Sequence, residues 1–398
     1  MPPKLLRPAF AMRLNCLISC LIGLFLPFGL IAGGPSAELT DGPSADIKGE
    51  IVYRGVIDCF EPGLLSQAGV LVNCEASAIT FTGDQLVLAS DKPIPGDGKS
   101  AVFSISYPGK GQITGQPRYF GTEQFIAAEK YEDMTITPDG AYIIATTGFD
   151  RIKSDSNEWD GFNTLLAWPL NDPTRVQVVE PSNNDGVISS VKLRDKISRA
   201  LVYDEFPDEV PYFKVESLAA IPGDQLLFGI RELGVRYDQF VYTFKIISTS
   251  YEFTNGVLSL GEFKLVYDFD TNVLIDSGLS GSQPSPALSS IEYDAYHKRL
   301  YLLTSYETEE TDEGLGGYLW TLPLSGLNTN MAPAPVRTRN GELLHFAHKA
   351  EGITILNENL LLIIHDDDRV LGRDVVENPN TQFSRQAHQA AYSLLSID

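Results

Sequence analysis

Residues 349–366 read Lys349-Ala-Glu351-Gly352-Ile353-Thr354-Ile-Leu-Asn-Glu-Asn-Leu360-Leu-Leu-Ile-Ile364-His-Asp366: a short block, a polar turn, then an apolar run. The same order recurs through the chain. The block returns as Ser77-Ala78-Ile79-Thr80, Glu132-Asp133-Met134-Thr135, Glu216-Ser217-Leu218-Ala219 and Ser289-Ser290-Ile291-Glu292. Turn residues follow, such as Thr137-Pro138-Asp139-Gly140 and Pro222-Gly223-Asp224, then apolar strands at Leu86 to Ala89, Tyr142 to Ala145, Leu226 to Ile230 and Leu300 to Leu303. A third strand comes next, at Val102 to Ile105, Leu165 to Trp168, Val241 to Ile246, Tyr318 to Leu322 and Tyr392 to Ile397; Val176 to Val179 and Phe263 to Tyr267 read as fourth strands. The apolar anchors Ile79, Met134, Leu218, Ile291 and Ile353 are 55, 84, 73 and 62 residues apart. Those are the lengths of propeller blades with insertions, each a small antiparallel meander that must stack on a neighbour to bury its faces.

The expectation is therefore an all-β chain, a β-propeller of five blades, with room for a poorly marked sixth between Glu180 and Phe213. That stretch carries Leu193, Ile197 and Leu201 at four-residue spacing, which predicts a helical insertion over about 186–204 instead. The last unit has three strands before Asp398, and the segment Ile51 to Ile57 is expected to supply its outer strand and close the ring.

Outside the repeats, Lys4, Arg7 and Arg13 precede an apolar run from Leu14 to Ala32 that breaks into Gly33-Gly34-Pro35-Ser36-Ala37, the layout of an export signal. Residues 1–37 are read as that signal and 38–398 as a single propeller domain in the periplasm or outside the cell, with no membrane association after cleavage. The whole chain of 398 residues has a net charge of -22, and losing three cations and no acid takes it to -25. Such a chain repels nucleic-acid backbones and anionic lipid, so neither is expected as a partner, and a monomer is expected. Cys59 and Cys74 remain after cleavage and are expected to pair in an oxidising compartment, stabilising the fold by roughly 3 kcal/mol.

Three anchor blocks follow a lysine at i-2: Lys130–Glu132, Lys214–Glu216 and Lys349–Glu351. Residues i and i+2 of a strand share a face, and the first strand of a propeller blade lines the axis. Lysines and glutamates thus converge at one end, either as mutual ion pairs or around a ligand. Arg231, after the second strand of its unit, adds a cation, and His365-Asp366-Asp367-Asp368-Arg369 adds the densest charge in the chain. Glu132, Glu216, Glu351, Asp366 and Asp367 form an expected set of oxygen ligands for calcium, and Lys130, Lys214, Arg231 and Lys349 an expected clamp for an anionic small-molecule substrate. A protein ligand on the rim is the alternative partner. His345, His348 and His365 lack a zinc-site spacing, and no nucleophile elbow, P-loop or dinucleotide fingerprint occurs, so no catalytic residue is assigned.

The run Lys349-Ala-Glu351-Gly352-Ile353-Thr354 with Leu360 to Asp368 resembles the phytase-like (esterase-like phytase) propellers of bacteria. Cys74 to Thr80, Glu132-Asp133-Met134, and Glu216-Ser217-Leu218 with Phe228-Gly229-Ile230-Arg231 are similar to a sister family of exported propellers without an established activity. The resemblance spans about residues 70 to 370. It implies an exported propeller acting on phosphate or carboxylate esters with a divalent metal. The full metal and phosphate set of the calcium phytases finds no match here.

Overall fold

Five antiparallel sheets follow one another around an axis in the computed structural model, which describes residues 47–110, 112–153, 155–270, 286–307, 314–367, 374–378 and 381–398. The export segment, Asp368 and residues 308–313 lie outside the described residues.

Blade 1 is built from Ala76–Phe81, Gln85–Ser90, Val102–Ser106 and Arg118–Tyr119; blade 2 from Tyr131–Ile136, Tyr142–Thr147, Leu165–Pro169 and Gln177–Val178. Blade 3 uses Tyr212–Ile221, Gln225–Arg236 and the long Gln239–Thr254, which pairs with both Val257–Leu260 and Lys264–Phe269. Blade 4 comprises Ala287–Asp294, Arg299–Glu307 and Leu315–Pro323, edged by Ala334–Pro335 and His345–Phe346. Blade 5 runs Ala350–Asn357, Leu360–His365 and Gln389–Ile397, and its outermost strand is Gly49–Asp58 from the other end of the chain. Gly49 pairs with Ile397 and Asp58 with Gln389, as the missing strand in the last unit demanded. No sixth blade occupies 180–213: a short hairpin and the helix Leu193–Ala200 do, the helix burying Leu193 and Ile197.

Each blade is apolar on both faces, so the core divides by interface. Five clusters of buried side chains form, one between each pair of neighbours: Ile79, Phe103 and Tyr392 between blades 5 and 1; Phe125, Met134 and Trp168 between 1 and 2; Leu218, Phe228 and Ile144 between 2 and 3; Ile291, Trp320 and Ile246 between 3 and 4; Ile353, Leu303 and Leu395 between 4 and 5. Each fully buried aliphatic or aromatic side chain contributes about 1.5–3 kcal/mol.

Nearer the axis the blades are joined by hydrogen bonds from anchor-block side chains to the next first strand. Ser77 donates to the Tyr131 carbonyl (2.6 Å), Asp133 accepts from the Leu218 amide (2.9 Å), Ser289 donates to the Ala350 carbonyl (2.9 Å), and Thr354 accepts from the Phe81 amide (3.0 Å). Between blades 3 and 4 the Arg231 guanidinium donates to Ser305 (3.0 Å). Gly352 of the fifth block is glycine for a steric reason: a Cβ there would stand 2.8 Å from the Ser77 carbonyl oxygen of the next blade. Cys59 and Cys74 are bonded as expected, tying the end of the closing strand to the start of blade 1.

Candidate functional site

The first residue of every anchor block is a bulge. In the pairing of first with second strands the register skips Ser77, Glu132, Glu216, Ser289 and Glu351, one per blade. A bulge places two residues opposite one, bends the strand and re-aims the extra side chain. Here it turns three glutamates and two serines toward the axial end. The serines satisfy themselves on the neighbouring strand; the glutamates meet lysines.

The ion pairs run from blade to blade. Lys92 lies 2.9 Å from both Glu75 and Asp91, and Asp91 lies 3.2 Å from Lys130. Glu132 Oε1 is 3.2 Å from Lys130 and 3.4 Å from Lys214, which is bonded to Glu216. Arg231 stands 3.9 Å from Glu216, and Ser305 links it onward by donating to Glu351 (3.2 Å). Lys349 then pairs with Glu351 (3.2 Å) and Glu307 (3.1 Å). The acids lie beneath the cations: Glu132, Glu216 and Glu351 are 3% exposed, whereas the side chains of Lys130, Lys214 and Lys349 reach the surface at 13–14%.

Burial and charge separate the glutamates. Burial, reinforced by Glu216, raises Glu132 to about 8 in spite of Lys130 and Lys214. Glu216 is also penalised by burial, but Lys214 and Arg231 outweigh it and hold this carboxyl below its ordinary value. Burial raises Glu351 against Lys349, while Lys349 is the main reason that Glu307 falls to about 2. Five cations (Lys92, Lys130, Lys214, Arg231, Lys349) thus face six carboxylates (Glu75, Asp91, Glu132, Glu216, Glu307, Glu351), of which Glu132 is neutral near pH 7. Charge is close to balanced here, although the chain as a whole is at -22.

The blade 2 corner is the least satisfied part of this end. Glu132 Oε1 and Asp150 Oδ1 are buried without a hydrogen-bond partner. Both face Gly148, where a Cβ would lie 3.1 Å from the first and 3.5 Å from the second. Lys130 (φ 62°) and Phe149 (φ 50°) hold left-handed backbone on either side. Such conformations cost non-glycine residues on the order of 1–3 kcal/mol and gather where geometry serves function.

Of the expected site residues, Lys130, Glu132, Lys214, Glu216, Arg231, Lys349 and Glu351 come together. Of the aspartates after Ile364, Asp367 turns to other partners. Asp367 accepts from the His348 ring and from the Lys349 amide (2.9 Å), and the Asp366 amide donates to the Lys349 carbonyl (3.0 Å). His365 meets Ser393 (2.9 Å) and lies with its ring 5.3 Å from His348, whereas His345 pairs with Tyr306. Among the described residues no three His, Cys, Asp or Glu side chains are grouped to hold a metal ion. Sequence reasoning missed Glu75 and Ser305, which sit in the same chain of contacts; Glu75 precedes the first block, and nothing in the pattern marked Ser305.

No protein-family model matches the chain, and no curated protein matches it. Solved structures similar to it include the PQQ-bound aldose sugar dehydrogenase of Streptomyces coelicolor (11% identity, 88% of this chain and 99% of that one, TM-score 0.34). A GH43 endo-arabinanase of Bacillus licheniformis (11%, 82% and 93%, TM-score 0.33) and a GH43 β-1,3-galactosidase with galactodeoxynojirimycin (11%, 83% and 92%, TM-score 0.37) are others. The sheets themselves define the class: a five-bladed β-propeller whose N-terminal strand completes the last blade. At these TM-scores the likenesses carry no argument about activity. No helix among the described residues is long and apolar enough to cross a membrane, and the disulfide is compatible with an extracellular location.

Proposed function

We propose that this is an exported, phytase-like propeller that takes a small anionic ester at the axial end, with hydrolysis of a phosphate or carboxylate ester as the reaction. The observation that carries the reading is the set of lysines at 13–14% exposure standing over glutamates that bulges have turned to the axis. An incoming anion meets ammonium groups first, in surroundings where each charged hydrogen bond is strengthened by exclusion of water. Lys130, Lys214 and Lys349 would orient it, and Arg231 would stabilise charge developing on the transferred group. Glu132, held protonated at neutral pH, is suited to donate a proton to a leaving oxygen, while ionised Glu216 keeps Lys214 and Arg231 charged.

Calcium, implied by the resemblance, is placed in this reading as a competitor rather than a resident. Three of its five expected ligands already have a lysine beside them, and a fourth, Asp367, is held by His348 and the Lys349 amide. No step is routed through it. The alternative, a non-catalytic propeller with a protein ligand on the rim, draws on the hairpin at Leu233 to Val241, which exposes Val235, Tyr237 and Val241.

The test is calorimetric titration with inorganic phosphate and acetate, run beside hydrolysis of p-nitrophenyl phosphate and p-nitrophenyl acetate. Wild type should bind phosphate with a Kd no weaker than about 1 mM, and Lys214→Gln and Lys349→Gln, checked for fold by circular dichroism, should each weaken it about tenfold. Absence of both anion binding and hydrolysis in wild type would remove the reading. A calcium-dependent rise in melting temperature of chelator-stripped protein would return the metal to the site.

A further inference from the structure

The second and third strands of blade 3 run on as a hairpin over residues 233–241. Gln225–Arg236 and Gln239–Thr254 are 12 and 16 residues long, whereas their counterparts in blade 2 have 6 and 5. Against the hairpin lies the turn at 203–206, closed by reciprocal backbone hydrogen bonds between Tyr203 and Phe206 (3.1 and 2.9 Å), whose rings meet edge-on at 5.4 Å. The groove between hairpin and turn has a volume of about 190 Å³ and is walled chiefly by Tyr203, Phe206, Leu233, Val235, Phe240 and Val241.

These walls are open to water. Leu233 is buried, but Val235 is 44% exposed and Val241 63%, and Tyr203, Phe206 and Phe240 are half-buried. Apolar side chains gathered along one exposed groove, unlike those scattered singly, mark an interaction surface. The space is smaller than the about 300–1,000 Å³ that encloses a small-molecule ligand, whereas about 150 Å³ accommodates a benzene ring. It suits a single anchoring side chain of a polypeptide.

Charge selects the polypeptide. The turn and the chain after it carry Asp204, Glu205, Asp208 and Glu209, all exposed, with Glu205 in the groove wall. None of the four is ion-paired with a described residue, and residues 202–209 include no lysine or arginine. Arg236 on the hairpin is already bonded to Asp238 (2.6 Å) and adds no net charge. We propose that the groove docks a segment of a basic partner protein, with one apolar side chain seated between hairpin and turn and flanking lysines or arginines on Glu205 and its neighbours. The long stems of those cations can lie along the apolar walls while their charged ends reach the rim. A second copy of this chain, at -22, is repelled by the same acids. The site stands apart from the reaction proposed for the axial end.

Isothermal titration at about 0.15 M salt, where exposed charges are screened beyond about 8 Å, tests it with three blocked pentapeptides: Lys-Leu-Lys-Phe-Lys, Lys-Ser-Lys-Ser-Lys and Gln-Leu-Gln-Phe-Gln. The first should bind with a Kd of about 0.5 mM or tighter, and each of the others at least about tenfold more weakly. Val241→Asp should weaken the first peptide at least about fivefold although it adds a negative charge, and Asp204→Asn/Glu205→Gln should do so by a similar factor. Glu61→Gln/Glu358→Gln, which removes two exposed acids elsewhere, should change the affinity by less than about twofold. Circular dichroism checks that each variant is folded. No binding of the first peptide at about 5 mM overturns the proposal, as do equal effects of the two double variants. So does a Val241→Asp protein that binds as tightly as wild type or more tightly, because charge alone would then hold the peptide. Wild type that dimerises in sedimentation at about 0.1 mM, with Val241→Asp monomeric, would also overturn it, since the occupant would be a second copy.

Discussion

Glu132 concentrates the physics of the axial end in one side chain. A bulge turns it inward, burial raises it to about 8, and its Oε1 faces Gly148 without a hydrogen-bond partner. The folded state therefore holds a proton that the unfolded chain has lost above its ordinary carboxyl value, so this group's contribution is complete below about pH 4.5 and declines as pH rises toward 8. Glu132→Gln removes the titration and leaves Lys130 with Asp91 and Lys214 with Glu216. Urea denaturation at a series of pH values should show wild type losing on the order of 3 kcal/mol more than the variant between pH 5 and 8. Parallel slopes for the two proteins would show that Glu132 is ionised throughout. Gly148→Ala addresses the same corner from the other side. Its methyl would press on Glu132 Oε1 at 3.1 Å, and a loss of about 1–3 kcal/mol is expected in the same assay.

At the scale of elements, the closing strand and its disulfide act together. Gly49–Asp58 covers the outer edge of blade 5, and Cys59–Cys74 fastens its end to the first strand of blade 1. The bridge spans 15 residues, for which restriction of the unfolded chain is worth roughly 3 kcal/mol. The double variant Cys59→Ala/Cys74→Ala should melt at a lower temperature by several degrees while keeping the β-rich circular dichroism of the wild type. An unchanged melting temperature would mean that the strand holds without its clasp.

Over the whole molecule, the ring was legible in the sequence because the physical need behind it repeats: each blade must present the same bulge, the same turn and the same apolar strand at intervals. The Lys-x-Glu spacing likewise announced which side chains would meet on the axis. The bulge was not legible as such, since nothing in Glu132-Asp133-Met134 distinguishes a skipped register from an even one until the partner strand is in place. The direction of Asp367 was not legible for a related reason. Charge density locates a rim, but the direction of a carboxylate there depends on the nearest donor, and for Asp367 that donor is His348 rather than an axial partner. Ser305 reached the site through contacts between blades, to Arg231 and Glu351, which no single repeat contains, and Glu75 reached it through Lys92, which follows the second strand of its own blade.

The pairing of Gly49 with Ile397 has one more consequence. Two strands held at the same end of an antiparallel ladder, if pulled by that end, unzip one bond after another rather than shearing all at once. Tension applied through residues 49 and 397 would thus peel the closing strand away at low force, one rung at a time, until it reached Cys59. There the covalent tie to Cys74 would pass the load to blade 1. Mechanically the ring is a zipper with a stop sewn into it, soft at the seam and abruptly stiff ten residues on.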